Sequence, residues 1–440
     1  MSGRYAAYRS YARAGIEWAD SLPVTWGSIR LRWGASIYAG GTPSKTNPGF
    51  WENGTVPWLN SGSVNQRLIR EASAFITKAA LENSSARWIK RGSLVVALAG
   101  QGKTKGMAAQ LDIDATCNQS MAAIVPSAKL QPRFLFWWLS SNYQNLRNMA
   151  GGDMRDGLNL QLLGDVQCPL PAQQEQAQIA NFLDYETAKI DALIERQQQL
   201  VALLTEKRQA VISHAVTKGL NPDALMRDSG VDWIGTIPSH WSVLATSRVS
   251  DVTTGGRDTQ DAKPDGEYPF FVRSQTVERI DTYSFDGEGV LTSGDGAGVG
   301  KIYHHHIGRL EFHQRVYLFH NFRRITGRYF FYFLREHLAI VALAGNAKST
   351  VDSLRRPMLR AFPVCLPPLE EQDAITEFLD ERVARIDSLI SRQDDVRDLL
   401  QERRTALISA AVTGKIDVRN WKPPTSDTSA SEPQSEAEVA

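Results

Sequence analysis

Two stretches of the chain carry a sustained seven-residue apolar repeat. In the first, Leu183, Ile190, Gln197, Leu204 and Val211 fall seven apart, with Leu193 and Leu200 filling the alternate seam. In the second the same seam is Leu379, Ile386, Gln393, Leu400 and Leu407, with Leu389 and Val396 beside it. A repeat of this kind specifies helices that supercoil around one another. Each stretch opens just after a proline, Pro171 or Pro368, and runs about 43 residues, roughly 65 Å at 1.5 Å per residue. One such helix alone would leave its stripe wet, so the economical arrangement pairs the two with each other, antiparallel. Gln197 and Gln393 fall inside the seam. There they either snorkel outward or pair across the interface and fix its register.

Between these stretches, short apolar runs are punctuated by Gly, Pro and Asn. Val56–Leu59, Leu94–Ala99 and Met121–Val125 read as strands before the first helix, and Tyr268–Val272, Val290–Thr292 and Val316–Phe319 before the second. Each set closes on an aromatic helical stretch, Phe134–Tyr143 or Tyr329–Leu338, whose density of rings reads as core packing rather than a base-stacking platform. The fold class expected is α+β/mixed: two small α/β domains separated by two long antiparallel coiled-coil helices, with an internal pseudo-twofold duplication. The divisions fall at 1–168, 169–219, 220–365, 366–418 and 419–440, the last an acidic, Ser- and Pro-containing tail expected to be disordered.

The duplication is written in polar residues too. IEWADSLPVTW at Ile16–Trp26 recurs as VDWIGTIPSHW at Val231–Trp241, 215 residues on. Leu170–Gly219 aligns with Leu366–Lys415, 196 residues on, and 25 of the 50 positions are identical. Among them are Glu175/Glu371, Gln176/Gln372, Phe182/Phe378, Asp184/Asp380 and Arg208/Arg404. Chance similarity between two helices would not retain so many polar identities. The globular regions echo each other more weakly, at Pro57–Ser61 and Pro269–Ser274, at Ala99–Gly106 and Gly294–Lys301, and at Asn118-Gln119 and His313-Gln314. A shared scaffold with different polar loops suits two related readers of different targets.

Composition narrows the class. With 440 residues, 42% apolar and 22% charged, the chain has room for two to four domains and is neither collagen-like nor wholly disordered. No apolar run reaches the roughly 18–20 residues of a spanning helix, and the start has no signal-like apolar region. Three cysteines without metal-ligand spacing suit a reducing, cytoplasmic setting. The near-neutral total of 49 basic and 48 acidic groups hides an asymmetry: residues 1–165 carry net +8, residues 366–440 net −7, and 309–360 ten basic against three acidic side chains.

Two motifs invite other chemistry. Ala97–Thr104 (ALAGQGKT) follows an apolar run and meets a relaxed phosphate-loop pattern, but Gly106 and a short weak segment stand where a helix should begin. The same loop suits phosphate contacts by Lys103 and Lys105. His304-His305-His306 would point alternately to opposite faces of a strand, which is poor geometry for a metal. No constellation resembles a catalytic site, and no metal ligands are assigned.

The plan resembles the specificity subunit of type I restriction-modification systems. The residues that carry the likeness are the two Trp motifs, GGTPS at Gly40–Ser44, the LP…EQ helix openings (Leu170–Gln176, Leu366–Gln372) and the endings LLTEKRQAVISHAVTKG and LLQERRTALISAAVTGK. The resemblance implies a non-catalytic DNA-binding subunit whose two target recognition domains each read half of a split, asymmetric site in double-stranded DNA. The helices would act as ruler and as dock for two modification subunits. It further implies no cofactor on this chain: S-adenosylmethionine would sit on adenine-methylating modification subunits, and ATP and Mg²⁺ on restriction (translocase/nuclease) subunits. No membrane is implied. A bipartite reader needs two basic modules about one helical turn (~34–36 Å) apart. The DNA-binding residues expected are Lys45, Asn60, Arg67, Lys103, Lys105, Asn118, Gln119 and Arg155 in the first domain. In the second they are Arg273, Gln275, Lys301, His313, Gln314, Arg315 and Lys348. Arg to guanine and Asn or Gln to adenine would discriminate by ~1–3 kcal/mol each. The competing readings are a phosphate-loop nucleotide-binding enzyme (Ala97–Thr104) and a coiled-coil scaffold that binds only protein.

Overall fold

A computed structural model describes residues 5–100, 102–149, 158–296, 299–345 and 354–424. The chain forms two compact units, Met1–Glu195 with Arg397–Ala440, and Arg196–Val396. The long helices, Gln173–Lys218 and Leu369–Val412, are therefore not separate domains: each gives one half to each unit.

In unit 1 a five-stranded sheet runs in the order Ala35–Ala39, Met121–Pro126, Leu94–Ala97, Ala108–Leu111, Leu68–Ile69, antiparallel except for the last pair. All four residues of Leu94–Ala97 are fully buried because both faces of the sheet are covered. Strand alternation sends Leu94 and Val96 toward the aromatic helix, and Val95 and Ala97 toward a second core with Leu59, Val64 and Ile69. A three-stranded sheet, Thr116–Cys117, Val56–Leu59, Ala74–Ile76, lies beyond. The aromatic helix Pro132–Ser141 starts on proline, whose missing N–H needs no partner there, and buries every residue from Phe134 to Leu139. It packs against Ile179, Phe182 and Leu183 of the first long helix and Leu407, Ile408 and Val412 of the second. These rings are core, as their density implies.

Unit 2 repeats this logic with a six-stranded sheet ordered Asp251–Thr254, Val316–His320, Phe285–Ser293, Tyr303–Phe312, Tyr268–Phe271, Glu278–Ile280. Its one parallel pair is Tyr303–Phe312 with Tyr268–Phe271. The aromatic helix Gly327–Gly345 packs Tyr329, Phe330 and Phe333 with Ile212, Ala215 and Val216 of the first long helix and Ile375, Leu379 and Val383 of the second.

Within each unit the two helix halves run antiparallel and are tied by an Arg–Asp ion pair. In unit 1 Arg404 Nε donates to Asp191 Oδ1 at 2.8 Å; in unit 2 Arg208 meets Asp387 Oδ1 at 2.6 Å. These are the same two positions of the repeat, 196 residues apart, with roles exchanged. Of the seam, Leu183, Ile190, Leu379, Ile386 and Leu407 are buried, while Leu204, Val211 and Leu400 are half-buried. Two expectations are corrected. Leu193, Leu200, Leu389 and Val396 are exposed rather than part of a seam. Gln197 and Gln393 are half-buried, but Gln197 Oε1 has no hydrogen-bond partner, so register rests on the Arg–Asp pairs instead. The expected disordered tail also starts too early at 419: Trp421 packs on Phe182 and Tyr185, and Arg419 pairs with Asp417. Residues 425–440 lie outside the described residues. Among the described residues, no helix is long and apolar enough to cross a membrane.

Candidate nucleic-acid interface

The repeated polar residues build one joint in each unit. Trp26 Nε1 donates to Glu175 Oε1 at 3.1 Å, and Trp241 Nε1 donates to Glu371 Oε2 at 2.9 Å. Next along the helix, the buried Gln176 amide accepts from Gln131 N (2.8 Å) and donates to the carbonyls of Lys129 (3.0 Å) and Pro171 (2.9 Å). Gln372 repeats this with Thr326 N (2.8 Å), Arg324 O (3.0 Å) and Pro367 O (2.9 Å). Two turns on, Asp184 receives Arg133 Nε (2.8 Å) and Trp137 Nε1 (2.9 Å), and Asp380 receives Arg328 Nε (3.0 Å) and Tyr332 OH (2.5 Å). The duplicated Trp, Glu, Gln and Asp thus tie a long helix to the aromatic helix of its module.

At one end of each sheet system, three loops meet on the same frame. In unit 1 Gly41 N donates to Cys117 O (2.8 Å) and Asn118 N to Leu59 O (2.9 Å). In unit 2 His313 N donates to Phe271 O (3.0 Å) and Gln314 N to Arg257 O (2.8 Å). A Cβ on Gly40 would overlap the Cys117 carbonyl, and one on Gly255 the Phe312 carbonyl. Only glycine permits that approach. Gly255-Gly256 stands 215 residues after Gly40-Gly41, the offset of the Trp motifs, so the repeat itself carried the signal for this second loop.

Around the unit 1 frame the side chains that bond to the loops are amides and a hydroxyl. Thr42 Oγ1 donates to Gln119 Oε1, Asn118 Oδ1 accepts from Ser120 N (3.1 Å), and Asn60 Oδ1 accepts from Gly62 N (2.8 Å). Asn60 and Gln119 are exposed and Asn118 half-buried. Lys45 is exposed on the loop that follows the glycine pair. Lys103 and Lys105 lie on the connector between the antiparallel strands Leu94–Ala97 and Ala108–Leu111, where Tyr143 OH donates to Lys103 O (2.6 Å). A strand follows Thr104, not a helix, so no helix N-terminus faces that loop and the phosphate-loop reading fails. Arg67 is drawn away: it pairs with Asp191 of the long helix at 2.9 Å. Arg155 lies outside the described residues.

The unit 2 frame is charged. Arg273 and Arg315 converge on one carboxylate, Asp295, at 3.1 and 2.8 Å. Gln314 Nε2 donates to Asp258 Oδ2 at 2.9 Å. Gln275 and Lys301 are exposed. His313 departs from expectation: its side chain is 1% exposed, Nδ1 accepts from Arg315 N (2.9 Å), and burial lowers its pKa. The enclosed imidazole thus braces the loop through the Arg315 amide and does not project from its surface. Lys348 lies outside the described residues. Sequence reading missed Asp258 and Asp295, which orient the basic and amide groups, because acids are not sought at a DNA surface. The His304–His306 run alternates as strand geometry demands: His304 meets Ser274 O (3.1 Å) and His305 meets Glu288 (2.9 Å) on the other face. Among the described residues no cluster of His, Cys, Asp and Glu could hold a metal.

The family model described as type I restriction modification DNA specificity domain matches residues 23–202 and 238–394. The EcoDI specificity subunit of Escherichia coli is 28% identical over 188 residues, 43% of this chain and 41% of its own length. The EcoR124I/EcoR124II specificity subunit, also from Escherichia coli, is 28% identical over 189 residues, covering 41% of this chain and 44% of the relative. The matches to these two thus span less than half of either relative. The MjaVIII specificity subunit of Methanocaldococcus jannaschii is 25% identical over 323 residues, 65% of this chain and 71% of the relative. A solved chain from work on complex assembly and conformational transition of the type I R-M system shares the fold, with a TM-score of 0.64 at 18% identity over 90% of this chain and 99% of that one. Since the model matches well over half of the residues, the chain belongs to the type I restriction modification DNA specificity domain family.

Proposed function

We infer that this protein is the non-catalytic DNA-specificity subunit of a type I restriction-modification complex, working in the cytoplasm and reading a split, asymmetric site. One observation carries the reading: two loop clusters hang on the same glycine-closed frame, yet present different chemistry. Thr42, Asn60, Asn118 and Gln119 offer amides and a hydroxyl, the groups that pair with adenine edges. Arg273, Arg315 and Gln314 offer the fork that pairs with guanine, held ready by Asp295 and Asp258. Lys45, Lys103, Lys105, Gln275 and Lys301 suit backbone and phosphate contacts. The long helices, of 46 and 44 residues, repeat one sequence plan, and on this reading they act as the ruler between the half-sites. Their exposed Leu203 and Leu399 occupy equal positions of the repeat, which suits two copies of one modification subunit. Those subunits bring S-adenosylmethionine; restriction subunits bring ATP and Mg²⁺.

The test exchanges residues 30–165 for the corresponding segment of another family member and reads adenine methylation across the host genome. One half-site changes and the other stays. An unaltered methylation pattern, or loss of both halves in a complex that still assembles, overturns the reading.

A further inference from the structure

The two halves of the duplication treat one aromatic position differently. In unit 1 Phe182 is fully buried under the chain's own ends: Tyr5 lies edge-on at 5.1 Å, Trp421 at 5.3 Å, and Gln178 Nε2 donates to the Trp421 carbonyl. Among the described residues no aromatic ring lies against its counterpart Phe378, 196 residues on. The segment that follows the first long helix leaves Leu220 and Leu225 exposed, and Phe378 stays partly exposed. It lies in a groove of about 420 Å³ within unit 2, floored by Leu204, Phe378 and Leu389 and rimmed by Lys207, Arg382 and Arg385. Clefts of roughly 300–1,000 Å³ bury most of a drug-sized ligand, so this one has room for a large aromatic side chain.

The rim has a sign. At the equivalent positions unit 1 has Arg403, Glu186 and Lys189, a mixed set; in unit 2 all three are cationic. The neighbouring Arg208 and Arg328 are matched to Asp387 and Asp380, whereas Lys207, Arg382 and Arg385 form no ion pair with a described side chain. Arg382 instead lies over the Phe378 ring, its guanidinium carbon 5.6 Å from the centroid. A phosphate backbone would use the rim but leave the apolar floor wet.

We propose that this groove docks an acidic segment of a protein partner, which inserts one aromatic side chain onto Phe378 and sets carboxylates against Lys207, Arg382 and Arg385. Unit 1 provides the template, since there the chain seats its own Trp421 on the equivalent ring. The inference stands apart from the DNA-reading role, because none of these residues lies on the loop frames.

The test titrates the full chain into a dye-labelled heptapeptide, Asp-Glu-Asp-Trp-Glu-Asp-Glu, by fluorescence anisotropy. Companion peptides carry alanine in place of tryptophan or lysine in place of every acid. The acidic tryptophan peptide binds saturably, the alanine form about tenfold more weakly, and the basic form not at all. Arg382→Glu with Arg385→Glu weakens the first peptide about tenfold at an unchanged thermal midpoint, because both side chains are exposed. The proposal is overturned by equal binding of the alanine peptide, or by no saturation at millimolar chain. It is also overturned if the double variant spares peptide binding and instead weakens a random 30-base-pair duplex.

Discussion

Gln372→Ala removes three hydrogen bonds from a site with no exposure to water. The amide joins Thr326 N, Arg324 O and Pro367 O at 2.8, 3.0 and 2.9 Å, and so locks the turn ahead of the aromatic helix to the start of the long helix. A buried polar group left unpaired costs about 1–3 kcal/mol. Three freed together, with water refilling part of the space, come to about 3–5 kcal/mol. Arg324 adds to the sum, since it is held at φ 62°, a left-handed backbone that needs support in a non-glycine residue. For a unit of this size each kcal/mol moves the melting midpoint about 2–4 °C, so a fall of roughly 10 °C is expected, read by differential scanning calorimetry. Gln372→Met fills most of the volume without the bonds and separates the two causes: it recovers little. Gln176→Ala falls by a similar amount in its own unit, because its bonds have the same lengths to within 0.1 Å. A loss below about 1 kcal/mol, or full rescue by methionine, refutes the hydrogen-bond account.

Gly40→Ala and Gly255→Ala each force a methyl group onto a backbone carbonyl, Cys117 or Phe312, and lower stability by more than about 2 kcal/mol in urea titrations; a variant as stable as the parent would show that the frame yields. Arg208→Ala and Arg404→Ala each lose about 1 kcal/mol, and double-mutant cycles with Asp387→Ala and Asp191→Ala return a coupling of that order, shrinking with salt. Burial raises the Glu336 carboxyl to about 7 from an ordinary 4.5. A raised acid stabilises the fold below its unfolded pKa and loses that contribution as pH rises through about 7. Glu336→Gln should therefore flatten the decline in unit 2 stability between pH 4.5 and 7.5, and an unchanged pH profile would exclude the side chain as its source.

The joint was legible in the sequence because it is made of identities. Glu175/Glu371, Gln176/Gln372 and Asp184/Asp380 recur, and in both units the Glu accepts from a Trp indole and the Asp from an Arg guanidinium. The Arg–Asp pins recur as well, but sequence cannot show that Arg208 seeks Asp387, since that needs the register of two antiparallel helices. The heptad reading went astray for a geometric reason. It counts 3.5 residues per turn where a straight helix has 3.6, so over eight turns the row drifts by about one residue. Ile212 is accordingly 1% exposed while Val211, on the strict heptad, is only half-buried. The loop residues failed differently. Arg67 and His313 have the chemistry of base readers, but Asp191 claims the first and enclosure the second, and composition carries neither fact.

The same division explains which residues of a duplicated module are free to change. The bonds described for the joint run between the long helix, the Trp motif, the aromatic helix and the turns that lead into the two helices; none of them reaches Thr42, Gln119, Arg273 or Arg315. The loop frames are closed by backbone bonds and by glycines whose missing side chains let strand ends touch, so exposed side chains such as Arg273, Arg315 and Gln119 are not what closes them. Substituting amides for guanidinium groups there alters a surface and leaves the core untouched. Asp295 marks the limit of that freedom. Two arginines share its carboxylate, so Arg273 or Arg315 replaced alone leaves the other still oriented, whereas Asp295→Ala releases both at once. If the proposed reading is right, Arg273, Arg315 and Asp295 act in unit 2 as one coupled group, so changes of specificity there should come as coupled substitutions, whereas the amide and hydroxyl groups of unit 1 can change one at a time.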